Sequence, residues 1–536
     1  MRPWLNVFPL FALVVLTGCG RRETAVEAGL RLQTLHVNMG AEPRDFDPHT
    51  TPLPADIMVI RALMEGLADV DPVDCRPIPG VAERWETSAD GLTWTFHLRG
   101  AARWSNGEAV TAHDFVYAYR RILSPALAAE YREQFFCLRN AEAFASGKID
   151  DFTAVGARAA NDRTLVLTLT HPVPYLPTLV AQHVWFPVHR ATIEKFGRID
   201  QRSTAWTRVG NFVGNGAFEL KEWTQSRRVR VTRSDTYWDR DRVRLREVVF
   251  YPIENPAAGD AAFRAGQLHV TLYPVEKVAA YQADPRMAPL LHEGARLQTS
   301  FFRFNCSRPP LHDGRVRRAL SLAIDRGQIA RQVVRCEQAA VAFTPPNCAG
   351  YTADRSLRTD VEEARRLLAE AGFPGGRGFP ALEVPFYVSL GTEQPVLEAV
   401  QQMWRSNLGI SVSLLKQEMK TAIERRATGD FQVLNSAWVG DYLDPTTFLD
   451  LLRRDAPNNA TRWSNTEYDR LLDTAARTVE PARRFALLRE AEALMLAEAP
   501  IVPLFHLPVR ELRHPAVKGW HSNLLDTHPL KFVWLE

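Results

Sequence analysis

Residues 393–414 read EQPVLEAVQQMWRSNLGISVSL. The spacing predicts a helix over Glu393–Leu408, which passes through Gly409 into a strand over Ile410–Leu414. A second stretch, Asp360-Val361-Glu362-Glu363, is an acidic capping box opening a helix that closes at Gly372. A third helix is expected over Pro481–Glu498, stopped by Pro500 and followed by the apolar run Ile501-Val502-Pro503-Leu504-Phe505. Strands are expected at Trp94–Arg99 (WTFHLR) and Arg163–Leu169, where apolar and polar residues alternate. Near the start, Leu32–Asn38 alternates as a first strand, and Asp56–Leu67 has helical spacing. Repeated helix–Gly–strand units predict an α/β fold, and the chain is too long for one core. Two or three domains are expected.

Outward from this frame, Asn435–Phe448 reads NSAWVGDYLDPTTF. The strand-forming run Phe431–Leu434 precedes it, and Gly440 and Asp444-Pro445 break the chain into a turn. Asp441 is thus expected at a strand end, between Trp438 and Tyr442. Two readings remain open on these residues. A carboxylate walled off from water by two rings can pair with a ligand ammonium, or Asp441 caps a turn and the rings are core. Asp444, three residues on, fits either acid–base work beside Asp441 or ordinary turn chemistry.

Composition narrows the function classes. The 65 basic and 62 acidic residues leave the chain nearly neutral, and no basic run stands out, so nucleic acid is not an expected partner. There is no Gly-x-Ser-x-Gly elbow, Ser-x-x-Lys, His-Glu-x-x-His or phosphate-cradling glycine loop. His292-Glu293 begins like a zinc helix but lacks the second histidine. The expectation is a non-enzyme with no cofactor and no metal. Val7–Leu16 is an apolar run after Arg2, too short for a span of roughly 20 residues. Leu16-Thr17-Gly18-Cys19 resembles a bacterial lipobox, which implies a signal peptide over 1–18, acylation of Cys19 and a polar tether over 19–29. Five cysteines follow; Cys336 and Cys348, bracketing a Pro-containing loop, are the first candidate disulfide, and an odd number leaves at least one thiol unpaired.

One set of ordered blocks carries a family resemblance. Glu83-Arg84-Trp85, Trp94–Arg99, Trp104-Ser105-Asn106-Gly107 and Thr111-Ala112-His113-Asp114-Phe115 are followed by Pro172–Tyr175, Asn215–Phe218 and Tyr237-Trp238. Arg315–Leu320, Leu367–Gly372 and Ile501–Pro503 complete it. The chain resembles the family 5 extracellular solute-binding proteins of ABC importers, and within them the periplasmic oligopeptide binders. That resemblance implies a two-lobed hinged trap of the periplasmic-binding-protein fold, with an extra inserted domain. Lobe I would comprise 30–55, 182–297 and 508–536; the extra domain II, 56–181; and lobe III, 298–507.

By the same resemblance, Trp438-Val439-Gly440-Asp441-Tyr442 matches the context of an aspartate that pairs with a peptide's α-ammonium. Asp441 inherits that role. The backbone around Ala437 and Val439, and the loop near Glu42 and Arg44, would hydrogen-bond the peptide main chain as an added strand. At two positions where the oligopeptide binders receive the peptide carboxylate, an arginine and a histidine are replaced by Asn435 and Glu393. A flanking cysteine pair is replaced by Gln298 and Val439. The implied protein is a monomeric, acyl-anchored envelope receptor that hands oligopeptides to an ABC importer permease. The alternatives are a murein peptide, a metal complex or another non-peptide solute as ligand, and less so an envelope hydrolase.

Overall fold

The structure, a computed structural model, describes residues 23–335, 338–354, 357–387, 392–454, 456 and 458–536. Its largest sheet has eight strands: β1 (Thr34–Asn38), β2 (Phe218–Thr224), β3 (Arg228–Arg233), β4 (Glu247–Tyr251), β5 (Val270–Leu272), β6 (Leu291–Phe304), β7 (Val433–Val439) and β8 (Ile501–Arg513). Their spatial order is β7-β6-β8-β5-β1-β4-β3-β2. β1 runs parallel to β4 and β5, and the other pairings are antiparallel. β7 therefore lies at one edge of the sheet. A separate four-stranded antiparallel sheet joins Ala82–Thr87, Thr93–Leu98, Thr164–Thr168 and Ala157–Asn161.

Four helices matter for the site: α1 (Pro54–Leu63), α2 (Ala112–Leu123), α3 (Glu393–Leu408) and α4 (Pro481–Glu498). α3 and α4 have the limits their sequence predicts. Gly409 ends α3 at φ 72°, the left-handed conformation that costs glycine little. Strands Leu382–Phe386 and Val412–Lys416 then pair in parallel around α3, a β–α–β unit.

The structure revises several limits. The tether expected to run to residue 29 gives way to a helix over Ala25–Leu32. Thr24 Oγ1 accepts the Glu27 N–H and the Glu27 carboxylate accepts the Thr24 N–H, a capping box that Thr-x-x-Glu already spelled. The first strand therefore begins at Thr34, after Gln33 at φ 56°. The helix expected over Asp56–Leu67 closes at Leu63. Cys19 and the expected signal peptide lie outside the described residues, as does Cys336. Cys348, its expected partner, is a buried free thiol, as is Cys75; Cys137 and Cys306 are free and partly buried. Among the described residues, no helix is long and apolar enough to cross a membrane.

Core packing follows the chain's two halves. Apolar residues from 35–270 and 517–535 form one buried cluster, while residues of 302–505 build most of two others. β6 and β8 run through both regions. Their register breaks between Ala295 and Thr299, opposite Pro508 and His506, where the lobe limits were expected.

The loop between β1 and α1 is held by a buried charge cluster. Arg121 of α2 donates two hydrogen bonds to Asp47, at 2.9 and 2.5 Å, and one to His49 Nδ1 at 2.9 Å. Burial alone would raise the Asp47 pKa; the guanidinium more than offsets it and holds the carboxyl below its usual range. Burial and the same cation push His49 down to about 3, so it stays neutral. Asp47→Ala should leave Arg121 buried without a counter-charge and lower stability by about 3–5 kcal/mol. Urea unfolding would measure this; a loss below about 1 kcal/mol would show that the cluster does not anchor the loop.

Candidate ligand-binding site

Asp441 leaves the end of β7 and reaches a cavity of about 380 Å³. The turn that carries it is fixed by its neighbours. The Asp441 N–H donates to Thr447 Oγ1 (2.9 Å), and Trp438 Nε1 donates to the Thr447 carbonyl (2.7 Å). Gly440 has no room for a side chain, because a Cβ would collide with Leu297. Asp444 is buried and does turn chemistry: Oδ1 accepts from the Thr446 N–H and hydroxyl. It is also paired bidentately with Arg484 of α4, at 2.7 and 2.8 Å. Both carboxylates of the sequence pair are thus accounted for differently, Asp444 as a structural anchor and Asp441 as a cavity group.

The rings that flank Asp441 in sequence do not line the cavity. Tyr442 stacks on Tyr175, with centroids 5.3 Å apart and planes 2° from parallel, and the Arg484 guanidinium lies 5.2 Å from the Tyr175 ring centre. Trp438 is partly buried against the core beneath. They close off the turn from behind.

Among the described residues, the Asp441 carboxylate has no hydrogen-bond or ion-pair partner. Burial raises its pKa from the usual 3.8 to about 6. Across the cavity stands Tyr131, whose phenol is pushed up to about 12 by burial, with the Asp441 charge adding to the effect. Gln134 Oε1, also on the wall, is a buried acceptor without a partner among the described residues.

Other expected residues fall in different places. Val439 lines the cavity and Ala437 is exposed on β7. The Gly440 N–H donates to Leu297 O on β6, so strand alternation turns the backbone groups of Val439 and Ala437 toward the open edge. Val439 and Gln298 face each other in the β6–β7 register. Asn435 pairs with Phe302 in the same ladder, and Glu393 starts α3; neither is on the cavity wall. The Glu42 carboxylate accepts from Trp223 Nε1 and the Ser226 N–H, and the Arg44 N–H donates to Asp56 Oδ1, so this loop too is off the wall.

The structure adds residues that sequence reasoning missed. Arg61 of α1, Arg296 in the irregular part of β6, and Trp520, Asp526 and His528 of the C-terminal tail all face the cavity. Arg61 carried one signal, a cation on an otherwise apolar helix stretch. The tail carried none, because its place depends on Leu297 N–H donating to Leu524 O.

Because the folded protein holds the Asp441 proton more tightly than the unfolded chain, ionising this group opposes folding. That penalty is absent below about pH 4 and complete above about pH 6. After a discount for partial exposure, Asp441→Asn should stabilise ligand-stripped protein by on the order of 1–2 kcal/mol at pH 8. Little change is expected at pH 4. Urea unfolding at both pH values tests this, and an equal effect at the two would contradict it.

The family model described as bacterial extracellular solute-binding proteins, family 5, matches residues 76–460. The periplasmic oligopeptide-binding protein OppA of Salmonella typhimurium is 34% identical over 95% of this chain and 94% of its own length. The probable deoxycholate-binding periplasmic protein YgiS of Escherichia coli is 32% identical, over 91% of this chain and 90% of its own. The solved structure of the Escherichia coli murein tripeptide binding protein MppA superposes with a TM-score of 0.79 at 33% identity, covering 94% of this chain and 98% of that one. The fold is the α/β two-lobed fold of periplasmic binding proteins. The chain belongs to the bacterial extracellular solute-binding proteins of family 5.

Proposed function

We propose that this protein captures oligopeptides with a free N-terminus between its two lobes and delivers them to an ABC importer. The observation that carries the reading is the unpaired, half-buried Asp441 carboxylate on the cavity wall, beside the open edge of β7. A ligand ammonium would supply the missing counter-charge. The outward backbone groups of Ala437 and Val439 would pair with the ligand main chain as an added strand, and Gln134 Oε1 would accept a further N–H. Backbone pairing suits a receptor that tolerates many side chains. The name of OppA supports an oligopeptide and that of MppA a murein peptide, and an ammonium at Asp441 serves both. Deoxycholate has no amine, so the YgiS likeness gives Asp441 no role.

In this reading the protein is a binding component rather than an enzyme, and it acts as a monomer. Lobe I is 30–55, 182–297 and 508–536, the extra domain is 56–181, and lobe III is 298–507. The crossings at 297/298 and 507/508 form the hinge, in the stretch where the β6–β8 register breaks. Trp438 and Tyr442 support Asp441 from behind rather than touching ligand. Acylation of Cys19 holds the receptor at an envelope membrane on the extracytoplasmic side.

Two measurements test the reading. Asp441→Ala should weaken peptide binding by about 2–5 kcal/mol in calorimetry, and N-acetylation of the peptide should cost a similar amount to wild type. Equal affinity for free and acetylated peptide would remove Asp441 from the role. Cys19→Ser should shift the full-length protein from the detergent phase to the aqueous phase; unchanged partition would exclude the acyl anchor.

A further inference from the structure

The helix over Ala25–Leu32 leaves little chain between the acylation site and the folded protein. From Thr24 onward the backbone is fixed. The capping box closes the first turn, the Val26 N–H donates to the Gly266 carbonyl at 3.0 Å, and the Val26 side chain is only 4% exposed. Five residue steps separate Cys19 from Thr24, against ten to the end of the tether expected from the sequence. Fully extended, five steps span about 18 Å and ten about 35 Å. A folded chain of this length has a radius of gyration of about 24 Å, hence a diameter on the order of 60 Å. A tether of about a third of that diameter cannot let the far side of the molecule roll onto a bilayer that holds Cys19.

The surface beside Thr24 is a groove of about 640 Å³ between the helices Ala25–Leu32 and Pro256–Arg264 and the segment 281–290. Met287 and Leu290 are half-buried on its wall. Three guanidinium groups around it each have a carboxylate: Arg31 with Glu23 at 3.2 Å, Arg264 with Asp260 at 3.1 Å and Arg286 with Asp284 at 3.3 Å. These pairs add no net charge, so they raise no like-charge barrier to anionic headgroups. Arg21 and Arg22 follow Cys19 by two and three residues, which keeps both positive charges close to the headgroups.

We propose that the groove beside Thr24 is the receptor's membrane-facing surface, held against phospholipid headgroups by the short tether. The inference rests on the acylation of Cys19 proposed above and adds an orientation to it. Arg264, Arg286 and Leu290 fall in the ranges given there for lobe I, so lobe I is the half kept at the bilayer. The Asp441 turn stands further along the same strand. Leu290 on the groove wall immediately precedes β6, and the carbonyl that accepts the Gly440 N–H belongs to Leu297, seven residues on. Closure then swings β7 and its turn toward a stationary lobe I.

The test uses the acylated full chain in vesicles of phosphatidylethanolamine and phosphatidylglycerol that carry a phospholipid with a photoreactive headgroup. Intact mass reports the acyl chains, and peptide mass spectrometry maps the label. Peptides covering 23–32, 261–267 and 284–290 should carry several times more label than those covering 419–430 and 473–484. Cys19→Ser should lose the label throughout. Inserting about twelve Gly/Ser residues between Arg22 and Glu23 extends the reach to about 60 Å and should spread the label over other faces. Even labelling of the wild type, or label centred on another face, would overturn the proposal. So would an unchanged pattern in the long-tether variant, because the reach of the tether is what holds this face down. An intact mass without acyl chains would remove the anchor reading and this inference with it. Acylated protein labelled elsewhere would remove this inference alone.

Discussion

The bidentate ion pair between Arg484 and Asp444 is the interaction on which the site depends. Both side chains are 4% exposed, and they come from a helix and a turn 40 residues apart. Asp444 spends its remaining capacity on Thr446, and the Arg484 guanidinium faces the Tyr175 ring, which in turn stacks on Tyr442. Loss of either charge would strand the other in a dry environment, at about 3–5 kcal/mol. The pair holds the turn rigid, and only a rigid turn can keep Asp441 poised without a partner of its own. Tyr175 precedes the helical residues Leu176–Leu179, whereas Tyr442 and Arg484 lie far along the chain, so this network also ties together distant parts of the sequence.

Charge placement separates the paired groups of the core from the group on the cavity wall. Asp47 with Arg121 and Asp444 with Arg484 are buried pairs, each with its own counter-charge, while Glu65 and Asp69 share the buried Lys531 ammonium. Glu492, buried in the core, instead accepts from two backbone N–H groups and the Tyr351 hydroxyl. Among the described residues of the cavity wall, the Asp441 carboxylate breaks that pattern. An uncompensated charge reduces stability, and its persistence at a cleft is a sign of binding rather than folding.

The sheet joins the two halves without a flexible linker. β6 and β8 stay paired on both sides of their irregularity, and the missing register leaves Arg296 and Leu297 free of the ladder there. Leu297 uses its backbone twice, taking the tail through Leu524 and the Asp441 turn through Gly440. Bending at this break would move β7 and its turn relative to α1, two elements that line the cavity.

What the sequence determined was local. The periodicity and caps of Glu393–Leu408 and Pro481–Glu498, the glycine after the first of them, and the strand end before Asp441 depend on residues a few places apart, and they stand where expected. The Thr24–Glu27 box was equally local; it was spelled in the chain, though the stretch read as a tether. Tertiary structure alone decided which groups meet. Asp441 on its own read as a turn residue or a ligand group, and only the tertiary structure puts it on a cavity wall. Arg484 lies 40 positions from Asp444. No periodicity encodes such pairings, because an uncompensated charge is defined by what fails to approach it. The C-terminal tail reached the cavity for the same reason: its position comes from hydrogen bonds to a distant strand, not from its own propensity.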